Sequence, residues 1–417
     1  MTSEDDAPVG GLVDHLFRRK AGQLVATLTR MLGPERLDLA EEVVQDAIVR
    51  ALETWPHRGI PDDPAAWLAR TARNRAIDVL RRESTLRDRL ARWDPDAPSD
   101  APAGGMDDEL AMVFLCCHPD LSRSARVALT LKTVGGFGVA EIARAFLAQR
   151  ETIAQRLVRA KRLLRESGAG FDLPATDALR DRLESVLDVL YLMFNEGYEA
   201  ASGDVLVRAE LCAEAIRLAR LVASNPATEA PAVDALLALM YLQGSRLEAR
   251  SAENGSILLL DEQDRSLWNR EMIARGLVHL DRSARGDRVT RFHLEAGIAA
   301  CHAVAPRFED TDWQRINDLY AQLQAINASP VVALNRAVAI GMLYGSRSAL
   351  DFLDPYAVDP DMLRYAPFHA TVGELLRRAG QADRAAESFR RAMELPASDP
   401  ERAFLRRRLA ACAEEAR

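Results

Sequence analysis

The residues best suited to chemistry in this chain are the arginines and lysines of one short segment. Residues 150–165, RETIAQRLVRAKRLLR, hold six basic residues and a single acid. A helix turns by about 100° per residue, so this segment carries an apolar stripe and an opposite polar stripe. The apolar stripe consists of Ile153, Leu157, Ala160 and Leu164. The polar stripe consists of Glu151, Gln155, Arg159 and Arg162. We therefore predict a helix that packs on one face and is free to bind DNA on the other.

A short helix in front of this segment would give the pair the geometry of a helix-turn-helix. Val139 to Phe146 has the pattern of a short packed helix, and the turn from Leu147 to Arg150 has the length that the motif requires. The second helix of this motif enters the major groove, where polar side chains reach base edges and basic side chains bind phosphates. The base-edge candidates are Glu151, Gln155 and Arg159, and the phosphate candidates are Arg156 and Lys161. The alternative is a solvated basic helix whose Glu151 only complements the helix dipole.

A second basic stretch, AWLARTARNRAIDVLRR at residues 66–82, follows two helix-start signals. Asp63 is suited to the N-cap and Pro64 to the first helical position. The apolar residues of the stretch turn to one side and leave a polar face free to contact DNA. That face consists of Asn74, Arg75, Asp78, Arg81 and Arg82. Trp67 either stacks on an unpaired base or is a partly buried core residue.

An amphipathic acidic helix is predicted just upstream, from Asp38 to Trp55. Its packing residues are Val44, Ala47, Ile48 and Leu52. Its exposed acids are Glu41, Glu42 and Asp46. Taken alone, this acidic face is best interpreted as a solvated surface, but its position beside a basic helix makes it more informative.

Composition places the chain among ordinary globular proteins. It has 417 residues, a net charge of −8 and no apolar run long enough to span a bilayer. The acidic N-terminus lacks the plan of a secretory signal, so we expect a cytoplasmic protein without membrane contact. Cysteines are scattered, and the adjacent Cys116, Cys117 and His118 suit a tetrahedral metal site poorly. We predict no metal, no cofactor and no enzymatic activity, because no nucleophile or phosphate loop accompanies the carboxylates.

Helical spacing of apolar residues runs through almost every segment and predicts an all-α fold. WDPDAPSDAPAGG interrupts this spacing and predicts a linker over residues 84–106, and SGAGFDLP marks a second break after residue 166. Residues 369–396 resemble a tetratricopeptide repeat, a pair of antiparallel helices, in the positions of their small and large residues. These residues are Gly373, Leu376, Ala385, Phe389 and Ala392. Residues 332–353 match the repeat more weakly, through Ala337, Ile340, Ala349 and Leu353.

Three segments, in this order, resemble the extracytoplasmic-function group of sigma-70 RNA polymerase sigma factors. EEVVQDAIVRAL, AWLARTARNRAIDVLRR and EIARAFLAQRETIAQRLVRAKRLLR are similar to regions 2.2, 2.4 and 4.2 of that group. Further motifs resemble the C-terminal extension of one subgroup, namely FLCCHP, YLMFNEGY, DEQDRSLWNR, TDW and ALNRAVAI. The chain departs from the group at the helix-turn-helix, whose first helix begins GVAE without a Ser or Thr cap.

The resemblance implies an order of domains and a role for each polar face. It implies a region 2 bundle over residues 10–83, the linker over 84–106, a region 4 helix-turn-helix over 107–168 and a large tetratricopeptide-like helical domain over 174–417. Core RNA polymerase would be bound by Glu41, Glu42 and Asp46. The minus-ten element of promoter DNA would be read or melted by Asn74, Arg75, Asp78, Arg81 and Arg82. The minus-thirty-five element would be contacted by Glu151, Gln155, Arg156, Arg159, Lys161 and Arg162. A regulatory protein would be a further partner, on the C-terminal helical domain.

Two functions of different classes are compatible with these features. The first is a sigma factor that directs promoter recognition, DNA melting and initiation under the control of its extension. The alternative is a polymerase-independent helix-turn-helix regulator with a sensing helical domain. That alternative explains the helix pair at residues 139–165 but leaves residues 38–82 without a role, so we expect a sigma factor.

Overall fold

The computed structural model describes residues 7–82, 104–146, 148–174, 176–198, 209–252 and 257–415. Within these ranges the protein is all-α, and the one β contact there is a bridge between Ser251 and Ile257. The fold class predicted from the sequence is confirmed. The chain separates into an N-terminal unit that ends at Val189 and a C-terminal unit that begins at Leu190.

Eighteen α-helices lie in the described ranges. In chain order they are α1 (Ala7–Leu32), α2 (Leu37–Arg58), α3 (Pro64–Arg82), α4 (Gly104–Cys116), α5 (Arg123–Thr133), α6 (Val139–Ala145), α7 (Arg150–Ser167), α8 (Thr176–Tyr198), α9 (Ala209–Ser224), α10 (Pro231–Gly244), α11 (Arg270–Ser283), α12 (Arg291–Val304), α13 (Trp313–Ile326), α14 (Pro330–Tyr344), α15 (Ser346–Leu353), α16 (Ala366–Arg378), α17 (Ala382–Met393) and α18 (Asp399–Glu415).

The core of the N-terminal unit begins with α1, α2 and α3, which pack on one another. The buried stripe of α2 consists of Ala40, Val44, Ala47, Ala51 and Trp55. Leu52, predicted to pack, is 53% exposed. The prediction is wrong at this position because Ala51 and Trp55 continue the helical spacing of the core, and Leu52 lies one residue beyond it.

Helix α3 begins where the sequence predicts. The Asp63 carboxylate accepts a hydrogen bond from the backbone N–H of Ala66 at 2.9 Å, and Pro64 is the first helical residue. Leu68 and Ala72 are buried on the face that packs. The N-cap and this packed face together leave the polar side of α3 turned away from the core.

Helix α1 also contacts α4 and α5, so helices before and after the predicted linker belong to one packed unit. The Thr27 hydroxyl donates to the Asp108 carboxylate at 3.1 Å, and Arg30 pairs with the same buried carboxylate. Gly22 lies so close to the end of α5 that a Cβ on it would collide with the carbonyl oxygen of Val134. A larger residue at position 22 would therefore push α1 away from α5.

Helix α4 begins earlier than the linker prediction allows. Residues 104–106, which the sequence assigns to the linker, are helical. The residues from Leu110 to Cys116 in the same helix are all buried. Their packing stabilises α4, and the helix continues back to Gly104. Residues 84–103 of the predicted linker lie outside the described residues.

Helices α5, α6 and α7 form the last part of the N-terminal unit before α8. At the start of α6, where the sequence has no Ser or Thr cap, the Glu141 carboxylate accepts a hydrogen bond from the backbone N–H of Gly138 at 2.6 Å. The predicted apolar stripe of α7 is confirmed. Its members Ile153, Leu157, Ala160 and Leu164 are all buried. The opposite side of α7 is consequently left for other contacts.

The C-terminal unit is a succession of helices that pack mainly on their neighbours in sequence. Its core falls into consecutive apolar clusters. Their central residues include Trp268 and Ile273 in one cluster, Ile316 and Leu319 in another, and Leu353 and Phe389 in two more. Packing mainly between sequence neighbours is a feature that helical repeat proteins also have.

The predicted interlock of small and large residues between α16 and α17 is confirmed. A Cβ on Gly373 would lie 2.8 Å from a ring carbon of Phe389, so glycine is what lets the buried ring approach α16. Leu376, Ala385 and Ala392 complete the same cluster. The weaker match also packs in one cluster, which contains Ala337, Ile340, Ala349 and Leu353.

Candidate nucleic-acid interface

The polar face of α3 is exposed at Asn74, Asp78 and Arg81, as the sequence predicts. The Arg75 side chain is exposed at the edge of this face, and its Nε donates to the Asp46 carboxylate of α2 at 2.9 Å. The sequence assigns Arg75 to DNA and Asp46 to polymerase, whereas the structure brings the two side chains together. The side chain of Arg82 lies outside the described residues.

Trp67 lies beside the polar face of α3 and is partly covered by the core. Its ring meets the buried ring of Trp55 edge to face, with centroids 5.6 Å apart. The contact anchors the start of α3 on the end of α2. This geometry agrees with the packing interpretation of Trp67, and the uncovered part of the ring remains accessible at the surface.

The outward face of α7 is exposed along its length at the positions that the sequence predicts. These positions are Glu151, Gln155, Arg159 and Arg162. Arg156, on the flank, holds its guanidinium 6.0 Å from the centre of the ring of Phe146, the residue that directly follows α6. A row of carboxylate, amide and guanidinium groups on one helix face can hydrogen-bond to base edges and phosphates.

Lys161 of α7 is turned toward α2 rather than toward solvent. Its Nζ donates to Glu41 at 2.6 Å and to Asp38 at 2.8 Å, and the side chain is 14% exposed. Burial disfavours the charged ammonium, but the Glu41 carboxylate and the two hydrogen bonds outweigh burial and raise the pKa of Lys161 above its usual value. Lys161 is therefore charged and engaged within the chain.

This ion pair corrects the surface exposure predicted for two site residues. The sequence places Lys161 on a phosphate-binding flank and Glu41 on an exposed acidic face, but Lys161 is half-buried and Glu41 is only 8% exposed. The reason is that Lys161 directly follows the buried Ala160, which brings its side chain to the edge of the packed stripe and over Glu41. The neighbouring acids Glu42 and Asp46 are exposed, as predicted.

The sequence prediction missed two residues of this contact, Asp38 and Arg165. The Arg165 guanidinium donates to Asp38 at 2.9 Å, beside the pair that Lys161 makes with Glu41. The sequence did contain a sign of this contact. Two acids, Asp38 and Glu41, lie three residues apart on one face of α2, and two bases lie four residues apart on one face of α7. Sequence spacing does not reveal which of several basic pairs on α7 meets the acids.

The adjacent cysteines occupy structural positions. Cys116 Sγ lies 3.0 Å from the Thr133 hydroxyl, and both Cys116 and Cys117 are fully buried. Burial raises the pKa of Cys117 to about 12. Nδ1 of His118 accepts the backbone N–H of Asp120 at 3.3 Å. Across the described ranges, no group of three or more His, Cys, Asp or Glu side chains could hold a metal ion.

Comparison with known protein families identifies the first three helices. Sigma-70 region 2 matches residues 16–85, which include all of α2 and α3. The chain carries a sigma-70 region 2 domain. This domain contains the exposed face of α3 and the acidic residues of α2. A family of unknown function (DUF6596) matches residues 182–284, from within α8 to just beyond the end of α11.

A relative covers nearly the whole chain. An uncharacterized protein of Rhizobium meliloti (strain 1021) is 41% identical over 408 residues, which are 96% of this chain and 95% of that protein. The chain belongs to the same family as the rhizobial protein, and the similarity extends over both the region 2 domain and the C-terminal unit of this chain. No solved structure matches the chain. In the described parts of the chain, no helix has both the length and the apolarity to cross a membrane.

Proposed function

We propose that this protein is an RNA polymerase sigma factor of the extracytoplasmic-function type, with a tetratricopeptide-like regulatory extension. The observation that carries the proposal is the region 2 domain at residues 16–85, which has an exposed polar face on α3. In this proposal the protein binds core polymerase and promoter DNA in the cytoplasm. It needs no cofactor and catalyses no reaction itself.

The exposed face of α3 has the chemistry to read the minus-ten element. The Asn74 amide can both donate to and accept from an adenine edge, and the Asp78 carboxylate can accept from a cytosine amino group. Arg81 and Arg82 would bind phosphates. Arg75 would exchange its partner Asp46 for a phosphate, which is a low-cost exchange because this pair is exposed at the surface.

The outward face of α7 would contact the minus-thirty-five element as the second helix of a helix-turn-helix. Glu151, Gln155 and Arg159 would reach base edges, and Arg156 and Arg162 would bind phosphates. Lys161 would join them only after it leaves Glu41. The proposal therefore assigns Lys161 a role in the DNA-bound state that differs from its role in the packed N-terminal unit.

The distance between the two promoter elements requires the N-terminal unit to open. The element names place them about 25 base pairs apart, which is roughly 85 Å along a duplex. A compact unit that ends at residue 189 is on the order of 40 Å across. The contact between Lys161 and Glu41 must therefore break when α3 and α7 bind their elements together.

Opening would also uncover the acids proposed to bind core polymerase. Glu42 and Asp46 are exposed in the packed unit, but Glu41 is covered by Lys161. Release of α7 from α2 would free Glu41 and Asp38 on the same helix face. Polymerase binding and opening would then favour each other, because the polymerase binds a surface that is complete only in the open state. A regulatory protein on the C-terminal helices could shift this equilibrium.

Run-off transcription tests the proposal. Purified core polymerase is combined with the full-length protein on a genomic promoter library, and initiation is compared with that of core polymerase alone. Arg81→Glu should reduce initiation at least about tenfold, because it places a carboxylate where a phosphate would bind. Arg123→Glu, at an exposed arginine at the start of α5, is the matched control and should leave initiation unchanged.

The same purified proteins also distinguish the sigma-factor proposal from the alternative function. If the protein binds specific duplexes tightly without polymerase, and core polymerase gains no initiation from it, the chain is a polymerase-independent regulator and the sigma proposal is wrong. If initiation depends on the protein and falls in Arg81→Glu alone, the proposal is supported.

A further inference from the structure

The C-terminal unit contains a cavity of about 340 Å³ that none of the proposed DNA or polymerase contacts uses. It is lined by residues of α14, α16 and α18, and three aromatic rings, Phe308, Trp313 and Phe404, contribute to its wall. Small-molecule sites in proteins are mainly apolar cavities of roughly 300–1,000 Å³. This cavity has the size and the lining of a site for a compact organic molecule.

One wall of the cavity is a short non-helical segment, residues 257–261, which polar contacts hold in place. Arg407 of α18 donates to the carbonyl oxygen of Ile257 at 2.9 Å. The carboxylate of Glu262, the next residue, accepts hydrogen bonds from Arg407 at 3.0 Å and from Arg408 at 3.1 Å. Because these contacts fix the segment against α18, the cavity is formed before a ligand enters, and binding needs little ordering of the wall.

The charges at the cavity wall decide which molecules it suits. The charged residues among the described lining residues are three carboxylates, Asp261, Glu374 and Glu401, and one guanidinium, Arg378. Arg378 donates to Asp261 at 2.8 Å and to Glu374 at 2.9 Å. Burial would raise the pKa of Glu374, but hydrogen bonds from Arg377 and Arg378 lower it below its usual value, so the carboxylate stays ionised. Glu374 is also paired with Arg377 and Arg408, so these wall charges largely balance one another. An anionic ligand would lose its hydration in a mainly apolar cavity whose lining guanidinium is already paired.

We propose that this cavity binds a compact apolar molecule that carries no negative charge. The aromatic rings supply the apolar contact, and the paired charges at the wall select against carboxylates, sulfonates and phosphates. The inference concerns the C-terminal unit alone and does not depend on the sigma-factor proposal. A bound molecule would contact α14, α16 and α18 together and would stabilise the packing of these helices.

Two fluorescent dyes with the same aromatic core test both the site and its charge preference. N-phenyl-1-naphthylamine is uncharged, and 8-anilinonaphthalene-1-sulfonate carries a sulfonate. We expect the full-length protein to bind the uncharged dye saturably at one site with a Kd of roughly 1–50 μM. The sulfonated dye should bind at least about tenfold more weakly, because its charge would lose hydration in an apolar cavity that offers no unpaired guanidinium.

Cavity-filling variants locate the binding site. Ala370→Trp places an indole in the cavity from α16, and Val338→Trp does so from α14, where Val338 is 40% exposed and its replacement spares the core. Each variant should weaken binding of the uncharged dye at least about tenfold. Ala379→Trp, at an exposed residue that follows α16, is the matched control and should bind like the wild type. Circular dichroism confirms that each variant is folded.

The outcomes separate the two parts of the proposal. Loss of binding in a folded Ala370→Trp or Val338→Trp variant, with binding kept in Ala379→Trp, supports the site. Unchanged binding in both filled variants places the dye elsewhere and overturns it. Equal affinity for the two dyes overturns the assignment of a ligand without negative charge. None of these results depends on initiation of transcription, so failure here is distinct from failure of the sigma-factor proposal.

Discussion

The contact of α7 with α2 in the N-terminal unit differs in kind from the contacts between neighbouring helices of the C-terminal unit. In the N-terminal unit, α7 returns to α2 through ion pairs between residues as far apart in the chain as Lys161 and Asp38. In the C-terminal unit, each helix packs mainly on its neighbour through apolar clusters such as that around Phe389. Ion pairs can exchange their partners for phosphates or for another protein, whereas an apolar cluster has no equivalent partner in water. From this contrast we expect α7 to leave α2 more easily than neighbouring helices of the C-terminal unit leave one another.

The largest effect is expected in the apolar clusters of the C-terminal unit. Phe389→Ala should lower the free energy of unfolding by about 4 kcal/mol, because the ring is fully buried and Gly373 cannot fill the space it leaves. Urea unfolding followed by circular dichroism measures the change. Glu387→Ala, at an exposed position of α17, is the control and should change it by less than about 0.5 kcal/mol. Equal effects of the two variants would contradict an apolar basis for this packing.

A smaller but more consequential effect is expected where α7 meets α2. Lys161→Met leaves the buried Glu41 carboxylate without its ammonium partner, while the exposed Asp38 keeps Arg165, and should weaken the packed state by about 3 kcal/mol. An increase in the radius of gyration, measured by small-angle X-ray scattering, would report opening. Arg162→Met, at an exposed neighbour, should leave the radius unchanged.

A double variant sharpens this test. In Glu41→Leu with Lys161→Met, both charges of the closest pair are replaced by apolar groups, so most of the loss should be recovered. If the double variant is as open as Lys161→Met alone, the pair does not hold α7 on α2. Recovery of the wild-type radius would show that opening depends on this contact.

Acid should weaken the C-terminal unit through His302. Burial, with help from Arg246 and Arg265, lowers the pKa of His302 to about 3, and its ring packs edge to face on Trp313. The unfolded chain takes up a proton on this residue below pH about 6.5, while the folded chain does not until far lower pH. Stability is therefore lost as pH falls, by roughly 2 kcal/mol between pH 7 and pH 5 from this group. Denaturant unfolding at the two pH values should show this loss in the wild type but not in His302→Phe.

The smallest effect is expected at the surface pair between Arg75 and Asp46. Both side chains are well exposed, at 39% and 46%, so Arg75→Ala should change the free energy of unfolding by less than about 1 kcal/mol. Thermal unfolding measures it. A loss as large as that of Lys161→Met would contradict the distinction between an exposed pair that exchanges freely and a half-buried pair that holds helices together.

Helix positions and packed faces could be predicted from the sequence because they depend on local spacing. The start of α3 at Asp63 and the apolar stripe of α7 follow from capping chemistry and the helical period. Gly373 and Phe389 could be placed together because the repeat spacing relates neighbouring helices. Each of these features involves residues that are close in sequence.

The contact between α2 and α7 could not be predicted in this way. The exposure of Glu41 depends on which residue covers it. That residue is Lys161, which lies 120 positions later in the chain. The cavity of the C-terminal unit also could not be predicted from local spacing. Its wall combines a non-helical segment near residue 260 with helices that lie about 70 residues or more further along the chain. Helical spacing carries no information about which distant faces meet. The roles proposed for the DNA-binding residues stay predictions.

The separation between Glu41 and Lys161 also has a consequence for a protein that is still being made. Synthesis proceeds at about 5–20 residues per second, so the 120 residues between them take on the order of ten seconds to appear. During that time α2 has emerged and can fold with α1 and α3, but the helix that covers its acids does not yet exist. The nascent chain therefore passes through a stage in which Glu41 is accessible to any partner near the ribosome, before the completed unit closes over it.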